Sequence, residues 1–358
     1  MNLSITLERI MGHCIIFATI GFLFVPSARG HHSDAGLDTE SLITIEGTIT
    51  EYEWRNPHIY FGVETTSERG ERVEWVVQTS PIASAMRRGW TSDSLAIGER
   101  VLVEAHPATD GRPYALLYSI EKEGGIVLGT AARPGSNYAP EPRVTASTST
   151  LEGIWMANRA ELVSYPGGFD GFFKAHLRLT AAGATAQAAY DPLSDENPES
   201  RCIGRPTPAM IVSSDLFPME IEINEDEEII MIRSGFWDEE RTVHMDGRAH
   251  PGPDERFPSG HSIGRWDGDT LIVDTTNFTD HRSPYQIGVP SGPRKHVAER
   301  YRLNPEGTRI VVEFVLEDSQ YLAEPLTHTR ELLYSPHLEM PRYDCDPEST
   351  SRFLRQQR

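Results

Sequence analysis

The feature that most narrows the folding options is the spacing of apolar residues. In "LITIEGTITEYEW" apolar and polar residues alternate with period two through Ile43, Ile45 and Ile49, as in a strand with one face buried. "HIYFGVET" and "ERVEWVVQT" are further strand-like runs, followed by a short helical pattern, "SPIASAMRRGW". Two more strands flank the turn Thr109-Asp110-Gly111. Five short strands with a helix after the third predict an OB-like Greek-key barrel.

The pattern breaks once. Residues 131–150, "AARPGSNYAPEPRVTASTST", are rich in Pro and small residues and read as an exposed linker. Strand-like runs then resume: "LEGIW", "MEIEINEDEEIIMIRSG", "RTVHMDGRAH", "GHSIGRWDGDTLIVDTTNF" and "KHVAERYRLNPEGTRIVVEFVLED". Asp246-Gly247, Asp267-Gly268 and Glu306-Gly307 fall between such runs, where hairpin turns belong. Helical signals are few and no fixed repeat is present. The expectation is all-β: the small barrel over 31–130, then an antiparallel barrel (lipocalin-like) or sandwich over 151–358. Gly153-Ile154-Trp155 is similar to the opening of lipocalin-like barrels, where the Trp closes one end.

What precedes the first barrel sets the compartment. "CIIFATIGFLFV", Cys14 to Val25, carries no charge and has Arg9 upstream. It is too short for a spanning helix, which needs about 20 residues, and fits the apolar region of a signal peptide. Ala28-Arg29-Gly30 meets the small-x-small rule, so residues 1–30 read as the signal and His31 as the mature first residue. An uncleaved anchor is the alternative. Release into the periplasm or medium, with no membrane insertion after cleavage, is the expectation. The chain has 33 Lys and Arg against 53 Asp and Glu, a net charge of −20. Such a surface disfavours nucleic acid and anionic membranes and suits metals or cationic ligands. Cys202 and Cys345 remain after cleavage, either paired as a disulfide or as two separate buried thiols.

The start "HHSDAG", then "GTITEYEWRNPHIYFGVE" with Trp54, Asn56, Pro57 and His58, then "SPIASAMRRGWTSDSLAIGERVLVEAHPATDG", resemble a family of exported bacterial proteins of unknown function. Its members begin with a double His followed by Ser and carry a Trp-x-Asn-Pro-His segment. The resemblance covers about residues 31–125 and implies export and fold type, with no activity attached. "CIGRPTPAM", "DGRAHP", "GHSIGRWDGDTLIVDTTNF" and "AERYR" are similar, in the same order, to a second group of uncharacterised exported domains.

Two sites follow from residue chemistry. A terminal His31 could chelate copper through its amine and ring, with His32 or His58 as partner, since imidazole suits Cu, Zn and Ni. Otherwise the two histidines are a solvated tail beside a structural His58. In the second block His244, His250 and His261 fall close together, with Asp246 and Arg248 among them. On a strand, Thr242, His244 and Asp246 share one face, so His244 and Asp246 could act as a general base with its orienting carboxylate. The Pro/Gly-rich segment between His250 and His261 should fold back and bring the two together. Ser262 lacks a Gly-x-Ser-x-Gly elbow. Asp267, Asp269 and Asp274 do not have calcium-loop spacing. No nucleotide-binding loop or paired Cys-x-x-Cys occurs.

Two functions remain. One is an exported binding protein for a small molecule or for a metal, copper being the candidate ion. The other is a periplasmic enzyme using His244, Asp246, Arg248 and His261. Convergence of those four on an enclosed pocket would favour the enzyme, and scatter over the surface would favour binding.

Overall fold

The computed structural model describes residues 36–67, 70–86, 88–124, 127–129, 146–158, 168–340, 342–352 and 354; the apolar run, His31, His32 and residues 130–145 lie outside them. The molecule is all-β, with two barrels in sequence.

In the first, β1 (Ile43–Glu53) pairs with β2 (Tyr60–Thr66) and β4 (Arg100–Pro107). β2 pairs with β3 (Arg72–Gln78), and β4 with β5 (Tyr114–Lys122). A parallel pairing of β3 with β5 closes the ring. This is the strand order of an OB barrel, with α1 (Ile82–Met86) inserted between β3 and β4. A short β6 (Val127–Gly129) extends the sheet beside β5. The alternation seen in the sequence points Ile45, Ile49, Val63, Val101 and Val103 into one apolar core.

The second barrel closes nine strands: β7 (Gly153–Ala157), β8 (Met219–Asn224), β9 (Ile229–Ser234), β10 (Glu240–His244), β11 (His261–Asp267), β12 (Thr270–Thr276), β13 (Lys295–Leu303), β14 (Arg309–Asp318) and β15 (Leu326–Tyr334). Each pairs with the next and β15 returns to β7. The closed barrel, not the sandwich, is the outcome. Trp155 is fully buried and its indole nitrogen donates to Leu151 O at 2.9 Å.

Two features depart from the expectation. Asp246-Gly247 is not a hairpin turn: β10 ends at His244, and residues 245–260 cross over so that β11 lies parallel to it. The cause is parity. Strands cannot alternate direction all the way round an odd ring, so one pair must be parallel. Second, the stretch between β7 and β8 holds α2 (Gly168–His176) and α3 (Ala181–Ala188). α3 reads "AAGATAQA", small residues without an apolar stripe, so the 3.6-residue signal is missing there. Among the described residues no helix is long and apolar enough to cross a membrane.

The C-terminal tail joins the barrels. Asn56, just before β2, pairs with Cys345 as an isolated bridge, and its amide also accepts from Ile82 N at 3.0 Å. Arg352 reaches Glu53 at 2.6 Å and Glu51 at 3.2 Å. Cys345 is disulfide-bonded to Cys202, with Cα atoms 5.9 Å apart, which ties the tail to the second unit.

Candidate functional sites

The crossover from β10 to β11 builds the first site, on the outer wall of the second barrel. Along β11 and β12 the inward residues are Ser262, Leu271, Val273 and Thr275, so the period of two turns His261 and Asp274 outward. Gly260 sets the entry to β11. Its φ is +76°, and a Cβ there would stand 2.7 Å from Phe278 and Thr275, so a side chain would push His261 off the wall. The crossover then lays His250 against it. His250 Nδ1 lies 3.0 Å from His261 Nδ1, and His250 Nε2 is 2.9 Å from Asp274 Oδ1. The other Asp274 oxygen accepts from His296 Nε2 at 2.7 Å, and His296 Nδ1 reaches Glu317 at 3.0 Å. The His244 ring stacks on His261 with centroids 5.1 Å apart. The result is a belt across five neighbouring strands.

Its protons are ordered by these contacts. The Asp274 carboxylate can only accept, so His250 Nε2 carries a hydrogen. Two facing Nδ1 atoms at 3.0 Å must share one proton, because two lone pairs or two N–H groups would repel. The hydrogen bond to Asp274, with help from Glu317 and against burial, raises His296 to about 9. The His296 hydrogen bond in turn holds Asp274 below its usual value. Burial, and after it the neighbouring His250, lowers His261. Burial and then Arg248 lower His244.

The structure brings together His244, His250 and His261. It does not join His244 to Asp246: that carboxylate lies beyond the end of β10 and grips Arg248, with the closest contact 2.6 Å. The expected base-and-carboxylate pair is therefore not formed, because the strand stops two residues too early. Asp246 and Arg248 are exposed, and none of the four residues lines either of the cavities described below. Asp274 and His296 were missed. Their outward phase was readable, but the register that brings them to His250 was not.

The second site is the cleft between the barrels. A cavity of about 300 Å³ has His58, Gln78, Thr79 and Arg88 of the first barrel on one side and Phe236, Trp237, Gln286 and Tyr343 on the other. A neighbouring cavity of about 640 Å³ includes Trp54, Arg55 and Asn56. The aromatic wall is one cluster, with Phe217 and Phe236 stacked at 4.6 Å and Trp237 5.2 Å from Tyr343. Trp237 and Asp238 both have left-handed backbone, φ +61° and +50°, which costs each roughly 1 kcal/mol. Asp238 is held there by the tail, accepting from Tyr343 N at 2.7 Å. Three buried groups lining this cavity have no hydrogen-bond partner: Trp237 Nε1 and Gln286 Oε1 on the side of the second barrel and Thr79 Oγ1 on that of the first.

Of the proposed copper ligands, His31 and His32 lie outside the described residues. His58 lines the cleft, and its Nδ1 donates to Thr79 O at 3.1 Å. Among the described residues no three His, Cys, Asp or Glu side chains are gathered as a metal site.

Residues 23–116, which run from before the first barrel to the start of β5, match the model of a family of unknown function (DUF6152). No curated protein matches the chain.

Proposed function

We propose that the chain is an exported binding protein that holds a small organic ligand in the cleft between its barrels. The observation that carries this reading is the set of unpaired buried groups lining a cavity with an aromatic wall. Trp237 Nε1 is a donor, Gln286 Oε1 an acceptor and Thr79 Oγ1 either. Leaving such groups buried and unpaired costs about 1–3 kcal/mol each, and a ligand that pairs with them recovers that energy. The chemistry fits a flat, largely apolar body with an acceptor for Trp237 and a donor for Gln286. Cavities at domain junctions with apolar walls and a few polar groups are the usual place for such ligands. The enzyme reading has less behind it, since Asp246 pairs with Arg248 and both are exposed.

Benzamide, a flat ring with one acceptor and one donor group, is the probe. Saturation-transfer NMR should show it bound at millimolar concentration or below. Trp237→Ala and, separately, Gln286→Leu should each weaken it about tenfold, the scale of one lost hydrogen bond. Unchanged binding in both variants, or none in the native protein, would sink this reading.

The copper reading is supported by reach. Leu37 packs in one cluster with Tyr60, whose ring is 6.4 Å from that of His58. His32 is five residues before Leu37, a span of up to about 17 Å at 3.3–3.6 Å per residue. A protein beginning at His31 should hold Cu(II) more tightly than one with a residue added before it, and His58→Ala should weaken it further. Equal affinity for the two termini would leave the histidines as a plain tail.

A further inference from the structure

We propose that His250 and His261, with His244 as third ligand, bind one divalent transition-metal cation on the outer wall of the second barrel, and that Asp274 positions His250 for it. The inference is independent of the cleft.

Three observations carry it. The two Nδ1 atoms face each other at 3.0 Å. Metal–nitrogen bonds of about 2.05 Å with angles between 90° and 110° place two ligand nitrogens about 2.9–3.4 Å apart, so a cation can replace the shared proton with little movement. The far nitrogen of His250 is bonded to Asp274 at 2.9 Å, the carboxylate–imidazole arrangement that orients metal-bound histidines and raises their basicity. His244 Nδ1 is buried without a hydrogen-bond partner, on a ring stacked against His261. The three donors do not yet surround one point, and a turn of the His244 ring is the movement that completes the set.

Charge favours a cation there. Arg248 is neutralised by Asp246, and the positive His296 faces two carboxylates, Asp274 and Glu317. The belt therefore carries a net negative charge beside the imidazoles. Three neutral imidazoles select the zinc, copper and nickel end of the series over magnesium or calcium. The position on the outer wall leaves the fourth place to water.

Titration of the full-length protein with Zn²⁺ by calorimetry tests the site. One equivalent should be lost in His250→Gln, and the same single equivalent, not a second, in His261→Ala. His244→Ala should weaken that equivalent at least tenfold. Asp274→Asn should weaken it about 10–100-fold, the usual effect of removing a carboxylate behind a metal-bound histidine, and Asp274→Glu should recover part of the loss. His106→Ala, in the first barrel, should leave the equivalent in place. Thermal melts of each variant separate lost binding from lost folding. Unaltered zinc stoichiometry and affinity in folded His250→Gln and His261→Ala, or no zinc bound by the native protein, would overturn the proposal.

Discussion

Each barrel has an odd number of strands, so each contains one parallel seam, and the two seams are closed by different means. In the first barrel β3 and β5 share three register pairs, Val76 with Tyr114, Val77 with Ala115 and Gln78 with Leu116. Val77 and Ala115 are fully buried, and Gln78 accepts from the hydroxyls of Tyr60 and Tyr114. In the second, β10 and β11 share only two pairs, Val243 with Ser262 and His244 with Ile263. Gly264 lets the strands close up, since a Cβ there would stand 2.7 Å from Val243. Side chains complete the closure. Inside, Arg241 on β10 donates to Thr275 on β12 at 3.1 Å and to Tyr301 on β13 at 3.0 Å. It also pairs with Glu299 on β13 at 2.7 Å, and Thr207 donates to the same carboxylate. Outside, the histidine belt spans the same strands. Where the main chain supplies little pairing, polar side chains bridge the gap, and that is where groups capable of chemistry collect.

The largest test of this contrast is Arg241→Met. Removing one partner of a buried pair leaves Glu299 uncompensated and should cost about 3–5 kcal/mol. Val77→Ala, at the other seam, removes only buried methyl groups and should cost about 2 kcal/mol. Replacing both charges, Arg241→Met with Glu299→Leu, should restore most of the loss. Urea unfolding measures all three. If Arg241→Met costs less than Val77→Ala, side chains do not close the second seam.

The next test separates the belt from the cleft. Cys202 and Cys345 are 143 residues apart, and closing so long a loop is worth about 5 kcal/mol in the chain-entropy account, with measured losses of about 2–5 kcal/mol. Cys202→Ser with Cys345→Ser should therefore lower stability by that amount. It should also loosen Tyr343 and weaken benzamide, since the cleft wall is anchored through the tail. Zinc on the belt should be unaffected. Full benzamide affinity in the disulfide-free protein would show that the tail does not hold the cleft.

The same contrast explains what could be read from the sequence. The first five strands stand out as separate runs and α1 lies in the helical pattern after the third, so their order was legible, although β2 is buried at four successive positions and β6 was not among the runs. In the second barrel β7 to β14 were visible as runs, but β15, which returns to β7, was not among them, nor was the parity of the ring, and Asp246-Gly247 looked like the two-residue turns elsewhere. The approach of His250 to His261 followed from a Pro/Gly-rich segment folding back on itself. Asp274 and His296 required the pairing of β12 with β13, which depends on the whole ring. The cleft was least legible: Thr79, Trp237, Gln286 and Tyr343 come from four distant segments, and none carries a local signal.

The smallest effect distinguishes the seams by pH. His296 is raised to about 9 from 6.5, chiefly by its hydrogen bond to Asp274. A raised histidine contributes its full stabilisation below the unfolded value of 6.5 and loses it as pH rises through about 9. Asp274 is lowered from 3.8, chiefly by the same bond, so its contribution is present above 3.8 and disappears as pH falls below that value. The belt is therefore strongest between these limits. The first seam has no such window, because Gln78 does not titrate and burial pushes Tyr60 above its usual value. The difference in urea midpoint between the native protein and His296→Gln should shrink steadily from pH 6.5 to 9.5, while that between the native protein and Val77→Ala stays level. The belt pair is partly exposed, so salt should reduce the first difference and leave the second alone. A His296→Gln difference that is flat across this range would mean that the ion pair adds nothing to closure, and that Arg241 holds the second seam from inside without it.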